Sequence, residues 1–267
     1  MIKVMKLDII TGDKLLQLEN EVIAYLKTDT LIHNCPYPWR GKMHTARPAP
    51  VWISGHCDGG VTADIYKRYG QYTKVWFATN REHIAPNLFA IPLGLPNDCD
   101  DSPIHRVYGN VDVVEEVLSE PRTIKNTAYM NFQIHTYPQE RQPVYNMFKD
   151  KPWVTVGSAE HTLRGRLRYL RDIRSHKFVL CPRGGGVDTH RLWETLYMEC
   201  IPIVKRHIAM NDFTDLPICW INDWSEVTPE FLESEYKRIT ERTWNLEKLN
   251  FSYWAKLIQA HASQYTH

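Results

Sequence analysis

SHKFVLCPRGGGVDTHRLWETLYMECIPIVK, residues 175–205, places a strand, a turn, a helix and a second strand in immediate succession. The apolar run 178–181 has the length of a buried strand and stops at Pro182, Arg183 and three glycines, Gly184, Gly185 and Gly186. The polar segment Asp188, Thr189, His190, Arg191 then opens a run with helical spacing, which ends at Cys200 before the β-rich residues 201–204. Strand, glycine loop, helix and strand form half of a nucleotide-binding α/β fold. Glycines let backbone N–H groups come close to an anion, and a helix N-terminus adds partial positive charge at the same spot. Arg183 and Arg191 flank that spot and suit bidentate contacts to phosphate. Glu194 follows three residues after Arg191 on the same helix face, where a carboxylate suits the two hydroxyls of a ribose. The plainer alternative is a tight connection in which Arg191 and Glu194 form a solubilising surface pair. A Walker A loop is ruled out because no Gly-Lys-Ser/Thr follows the glycines. Thr189 occupies the place of the third glycine in GxGxxG.

Residues 181–204, CPRGGGVDTHRLWETLYMECIPIV, resemble the donor-binding motif of exostosin-like glycosyltransferases (family 47), including those of large algal viruses. The resemblance implies that Arg183 and Arg191 face the diphosphate of a nucleotide sugar and that Glu194 faces the ribose. Gly184, Gly185, Gly186, Asp188 and Thr189 would belong to the same donor site. The family usually carries glycine where this chain has Glu199. Weaker similarity extends over 76–97, 131–141 and 216–228. Within it, YPQER (137–141) resembles the first loop of the donor lobe, where Arg141 either approaches the donor phosphates or sits on a surface helix.

Strand-like and helix-like segments alternate along most of the chain, which implies parallel sheets covered by helices. Strands are expected near 2–10, 51–54, 75–78, 88–91, 128–133, 153–156 and 218–221, besides the two in the motif. Helices are expected near 14–26, 61–69, 139–148, 163–173, 229–242 and 246–262. Four prolines mark 34–50 as an irregular loop. Together with the resemblance, this pattern predicts an α/β, GT-B-like architecture: two Rossmann-like lobes with parallel sheets facing across a cleft. The expected division is 1–120 for an acceptor lobe and 121–245 for a nucleotide-sugar donor lobe. The last helix, in 246–267, would return to the first lobe. Ligands of open α/β sheets collect at the carboxyl ends of the strands, which puts the loop after Cys181 in the cleft.

The function expected from these readings is inverting transfer of a sugar from a UDP-sugar, UDP-xylose being one candidate, to a glycan hydroxyl. The acceptor would be an oligosaccharide or a glycoprotein glycan. An acceptor hydroxyl needs a base as it attacks. Asp58, in a glycine-flanked loop after the 51–54 strand, is the first choice, with His56 and Glu82 as alternatives. The alternative for each is a surface turn residue. Arginines and a helix N-terminus can neutralise the leaving diphosphate without a metal or other cofactor. The competing motif is Asp98-Cys99-Asp100, whose Asp-x-Asp form suits Mn²⁺ or Mg²⁺ in metal-dependent GT-A enzymes. A module that binds a nucleotide or glycan without turnover would keep Arg183, Arg191 and Glu194 but need no base. A net charge of +1 gives no argument for nucleic-acid binding. No apolar run approaches a membrane span, and the start has no long apolar core, so no membrane anchor and a cytoplasmic location (host cytoplasm, if viral) are expected. The six cysteines show no CxxC spacing and read as reduced thiols.

Overall fold

The computed structural model describes residues 8–15, 32–34, 48–55, 58–98 and 103–265. Two parallel sheets organise the chain. The first has the order β1-β2-β3-β4, from β1 (Ile32–Asn34), β2 (Val51–Ser54), β3 (Val75–Ala78) and β4 (Leu88–Ala90). The second has the order β6-β5-β7-β8-β9, from β5 (Asn126–Met130), β6 (Val154–Val156), β7 (His176–Leu180), β8 (Ile201–Lys205) and β9 (Cys219–Ile221). Its register pairs Ala128 with Phe178, Phe178 with Ile201 and Ile203 with Cys219. All four residues of β2 and of β3 are buried, as expected of strands covered on both faces.

Connections determine where a ligand can sit. From β5 the chain runs through α4 (Pro138–Phe148) to the edge strand β6, then returns through α5 (Leu163–Arg174) to β7. From β7 it runs the other way, through α6 (His190–Tyr197) to β8. Loops leaving β5 and β7 therefore diverge, and a crevice opens between them at the carboxyl ends of the strands, the switch point of a doubly wound sheet. In the first lobe α1 (Ala63–Tyr69) connects β2 to β3. Helices α7 (Pro229–Thr240) and α8 (Phe251–Ala262) complete the chain, and α8 sets His261 against Phe77 and Phe89 of the first sheet.

Two helices lie where no helix was expected, α2 (Pro103–Tyr108) and α3 (Val111–Ser119). Asn110 caps α3 by accepting from Val113 N, and Val113, Val114 and Val117 bury one face. That face meets α5, two of whose arginines hold α3 and the residue after it. Arg171 pairs with Glu116 and Glu120, and Arg174 donates to the carbonyls of Val117 and Glu120. The connection that follows is pinned by Arg122, which donates to the carbonyls of Arg174, His176 and Glu199.

One core cluster runs through both lobes, joining Ile9, Ile53 and Phe77 to Leu192, Trp193, Leu196 and Tyr197 of α6, with Trp254 of α8. A second fills the far side of the second sheet around Phe148, Phe178 and Ile221. Helix α6 ends in the conformation that glycine favours even though the chain lacks it there. Glu199 adopts φ 60°, and its carbonyl is taken by Arg122. Expected elements at 2–10 and 14–26 fall mostly outside the described residues. Within them, Ile9 bridges to Asn250 and 12–15 are helical. Among the described residues no helix is long and apolar enough to cross a membrane.

Candidate functional site

The crevice between the β5 and β7 loops opens into a cavity of about 520 Å³. Its walls come from 131–133, Thr136 and Arg141 on one side, from Gly184–Gly186 and Asp188–Arg191 on another, and from Glu194 in depth. Asp58, Leu93 and Pro96 of the first lobe and Tyr108 of α2 close it. The glycine loop is needed here for close approach rather than for left-handed backbone. A Cβ on Gly185 would stand 2.5 Å from the Asp58 carboxylate, and one on Gly186 would stand 2.7 Å from Asn80 Nδ2. The first lobe thus presses directly on the loop.

The helix that follows is capped unusually. Thr62, Thr162 and Thr228 each accept a backbone N–H at the start of their own helices. Thr189, at the same position of α6, makes no such bond, and its Oγ1 is buried without a partner. The start of α6 faces the cavity with its N–H dipoles, an arrangement that favours an anion.

Three arginines were expected at the phosphates, and the structure brings two of them to the cavity. Arg141, 5% exposed, donates from Nε to Arg183 O (2.8 Å) and from Nη1 to Gln133 O (2.8 Å). Burial, reinforced by the neighbouring Arg191 charge, pushes its pKa down to about 10. Arg191 lies over Phe132 at 5.7 Å, with its Nε buried and unpartnered. Among the described residues neither guanidinium has a carboxylate within ion-pair distance. Arg183 departs from the expectation. It stacks on Tyr137 at 4.6 Å, donates to Gly185 O (3.2 Å), and does not line the cavity.

Glu194 is 4% exposed and lies deep in the cavity, but its partner is not Arg191. Arg166 of α5, with no side-chain exposure, donates Nη1 to Oε1, and Tyr169 donates its hydroxyl to Oε2 at 2.7 Å. Burial alone would raise the Glu194 pKa; the Arg166 charge and the Tyr169 hydroxyl hold it below its ordinary value. Each carboxylate oxygen keeps one lone pair for a further donor. Arg166 Nε and Nη2 are buried without partners.

Asp188 and His190 tie the loop to the first lobe. Asp188 accepts from Leu93 N (2.7 Å) and Trp193 Nε1 (2.8 Å), and its own N donates to Asn80 Oδ1 (2.8 Å). Burial pushes its pKa up to about 7 against these donors. His190 places Nδ1 2.8 Å from Gly94 O. A carbonyl only accepts, so Nδ1 carries the proton. Asp212 adds a third cross-lobe contact, accepting from Arg81 Nη2 and Ala90 N, both at 3.1 Å.

The remaining candidates separate. Asp58 is exposed and lines the cavity. Glu82 packs beside Gly60 and does not line it. His56 lies outside the described residues. Asp98 also stands away from the cavity, its N donating to Asp13 Oδ1 (2.9 Å) and its pKa raised by burial and by Asp13 and Asp112. Asp100 is outside the described residues. Among the described residues no group of three or more His, Cys, Asp or Glu side chains is placed to hold a metal ion. Cys181, Cys200 and Cys219 are free and buried.

Sequence reasoning missed His190, Arg166, Tyr169 and Tyr108 as members or supports of this site. The first stood inside the quoted motif, between the polar cap and Arg191. The others come from helices 25 or more residues upstream of Glu194, and no local spacing links them to it. No protein-family model matches the chain, and no curated protein matches it.

Proposed function

We propose that the protein is an inverting glycosyltransferase of GT-B type, moving a sugar from a UDP-sugar to a glycan hydroxyl without a metal. The observation that carries this reading is the pair of guanidinium groups, Arg141 and Arg191, repelling each other across the cavity wall with no carboxylate partner among the described residues. Two like charges held together at a helix N-terminus, beside a buried unpartnered Thr189 hydroxyl, suit a dianionic ligand. A nucleoside diphosphate fits this arrangement. Its phosphates would lie between the arginines and the glycine loop, and a ribose hydroxyl would donate to Glu194. The sugar would then point toward Asp58 and the first lobe, where the acceptor enters. Of the two described first-lobe candidates for a base, Asp58 and Glu82, Asp58 lines the cavity.

Negative charge grows on the leaving diphosphate as the glycosidic bond breaks. Arg141, Arg191 and the first N–H groups of α6 would meet that charge in fixed positions, each such contact contributing roughly 2–4 kcal/mol at the transition state. The resemblance to the exostosin-like family points to UDP and to donors such as UDP-xylose.

Calorimetric titration of UDP in EDTA tests this, with Arg191→Ala as the variant. Metal-free binding that the substitution weakens supports the reading, and no binding until Mn²⁺ is added would sink it. Binding without turnover, over a panel of UDP-sugars and oligosaccharide acceptors, would leave a non-catalytic module instead.

A further inference from the structure

We infer that His190 is the general base of this transfer, taking the acceptor hydroxyl proton on Nε2. The inference rests on the transferase reading above and goes beyond it by assigning the proton to a residue of the donor lobe. The tautomer comes first. With its hydrogen on Nδ1 and donated to Gly94 O, the neutral ring leaves a lone pair on Nε2. Among the described residues Nε2 has no hydrogen-bond partner, and the ring lines the cavity.

Position comes second. His190 is the first residue of α6 and precedes Arg191, so its backbone stands at the phosphate wall. Its side chain reaches across to a carbonyl of the first lobe. The ring therefore spans the gap between the proposed diphosphate site and the lobe from which an acceptor approaches. Asp58, by contrast, is exposed and lies against Gly185, within the loop proposed to hold the leaving group.

Electrostatics comes third. Burial lowers the His190 pKa and keeps the ring neutral before reaction. The groups that face it are Gly94 O, Glu194 and Asp58, which favour the imidazolium, and Arg166, which opposes it. A ring held neutral at rest, with two carboxylates near it, is suited to accept a proton and then carry it.

In the step itself, the acceptor oxygen forms a bond to the anomeric carbon as its proton passes to Nε2. The bond from that carbon to the phosphate oxygen breaks on the opposite face, and its electron pair leaves on the diphosphate. The imidazolium later returns its proton to solvent, with Nδ1–H held on Gly94 O throughout.

His190→Asn tests this, because the Asn amide nitrogen can replace Nδ1–H on Gly94 O while nothing replaces Nε2. Wild type and variant are compared for UDP affinity by calorimetry and for UDP release from UDP-glucose, UDP-galactose, UDP-N-acetylglucosamine, UDP-glucuronate and UDP-xylose. Release is measured with water and with oligosaccharides as acceptors, across pH 5–9. We expect UDP affinity within about twofold of wild type and turnover lower by about 10²–10⁴-fold. The acid limb of the wild-type profile should lie below the ordinary imidazole value of about 6.5 and be absent from the variant. Turnover at the wild-type rate with that limb intact would overturn the assignment. So would a loss of turnover matched by an equal loss of UDP affinity, which would make His190 a phosphate ligand. A wild type that binds UDP but releases it from no donor would also count against a base. Failure of the wild type to bind UDP at all would instead defeat the transferase reading, and calorimetry separates that outcome from the others.

Discussion

Replacing Glu194 by alanine should destabilise the second lobe, an effect that precedes any effect on a ligand. Arg166 has no exposed side-chain surface, Glu194 has 5%, and the two form one ion pair, with Tyr169 completing the carboxylate's shell. Removing the carboxylate strands a buried guanidinium whose Nε and Nη2 already lack partners, and leaves the Tyr169 hydroxyl without an acceptor. Breaking a buried pair from one side costs about 3–5 kcal/mol. For a chain of this size that corresponds to a fall in Tm on the order of 10 °C. Arg166→Met alone should cost a similar amount, since it strands the carboxylate. The double variant Arg166→Met/Glu194→Leu should recover most of the loss, because apolar residues of similar volume can replace a buried pair at little cost. Acidity supplies a second check. Glu194 is held below its ordinary pKa, so its contribution is complete above the unfolded-state value and lost as pH falls through the folded-state value. The gap in Tm between wild type and Glu194→Ala should therefore narrow in acid. Thermal melts of the four proteins at pH 7.5, with wild type and Glu194→Ala repeated at lower pH, make the measurement. Single variants that melt within a degree or two of wild type, or losses that simply add in the double variant, would refute the reasoning.

Arg191→Ala should behave in the opposite sense: its Nε is buried and unpartnered, so Tm should hold or rise slightly. UDP affinity, by calorimetry, should drop about 10- to 100-fold, the equivalent of a charged hydrogen bond worth 1.5–3 kcal/mol. Gly186→Ala sets a Cβ against Asn80 Nδ2 and Asp58 O and should cost about 1–3 kcal/mol in a denaturant melt. An unchanged midpoint would show that the lobes do not press on this loop. For Asp188 the folded pKa of about 7 lies above the unfolded one, so the fold holds the proton longer. Stability relative to Asp188→Asn should then decline as pH rises from about 4 to 7, by up to about 4 kcal/mol, and level off above. Parallel denaturation curves for the two proteins across that range would contradict it.

The fold was readable where burial is two-sided. Strands such as VWFA and FVLC carry unbroken apolar runs, and helices such as α5 carry their own caps, so element order followed from local chemistry. Helices α2 and α3 escaped notice although Asn110 and the valines at 113, 114 and 117 write a cap and a face. Glu199 shows a different limit. No glycine stands there, yet the backbone turns left-handed, and Arg122, far away in sequence, holds the carbonyl.

The site divides along the same line. Residues acting through backbone and position, Gly184–Gly186 and Arg191, line the cavity, because strand, loop and helix carry them to the crevice. Residues acting through partners do not. Arg191 and Glu194 share a helix face, which suggested a pair between them. The structure separates them because a better-buried guanidinium, Arg166, comes from a neighbouring helix and takes the carboxylate first. That substitution of partners is what leaves Arg191 unneutralised at the cavity wall. An arginine whose carboxylate neighbour has been claimed by another cation keeps its full attraction for an incoming anion. The pair that looks structural in the sequence therefore becomes, in the fold, the reason this wall keeps an unneutralised positive charge.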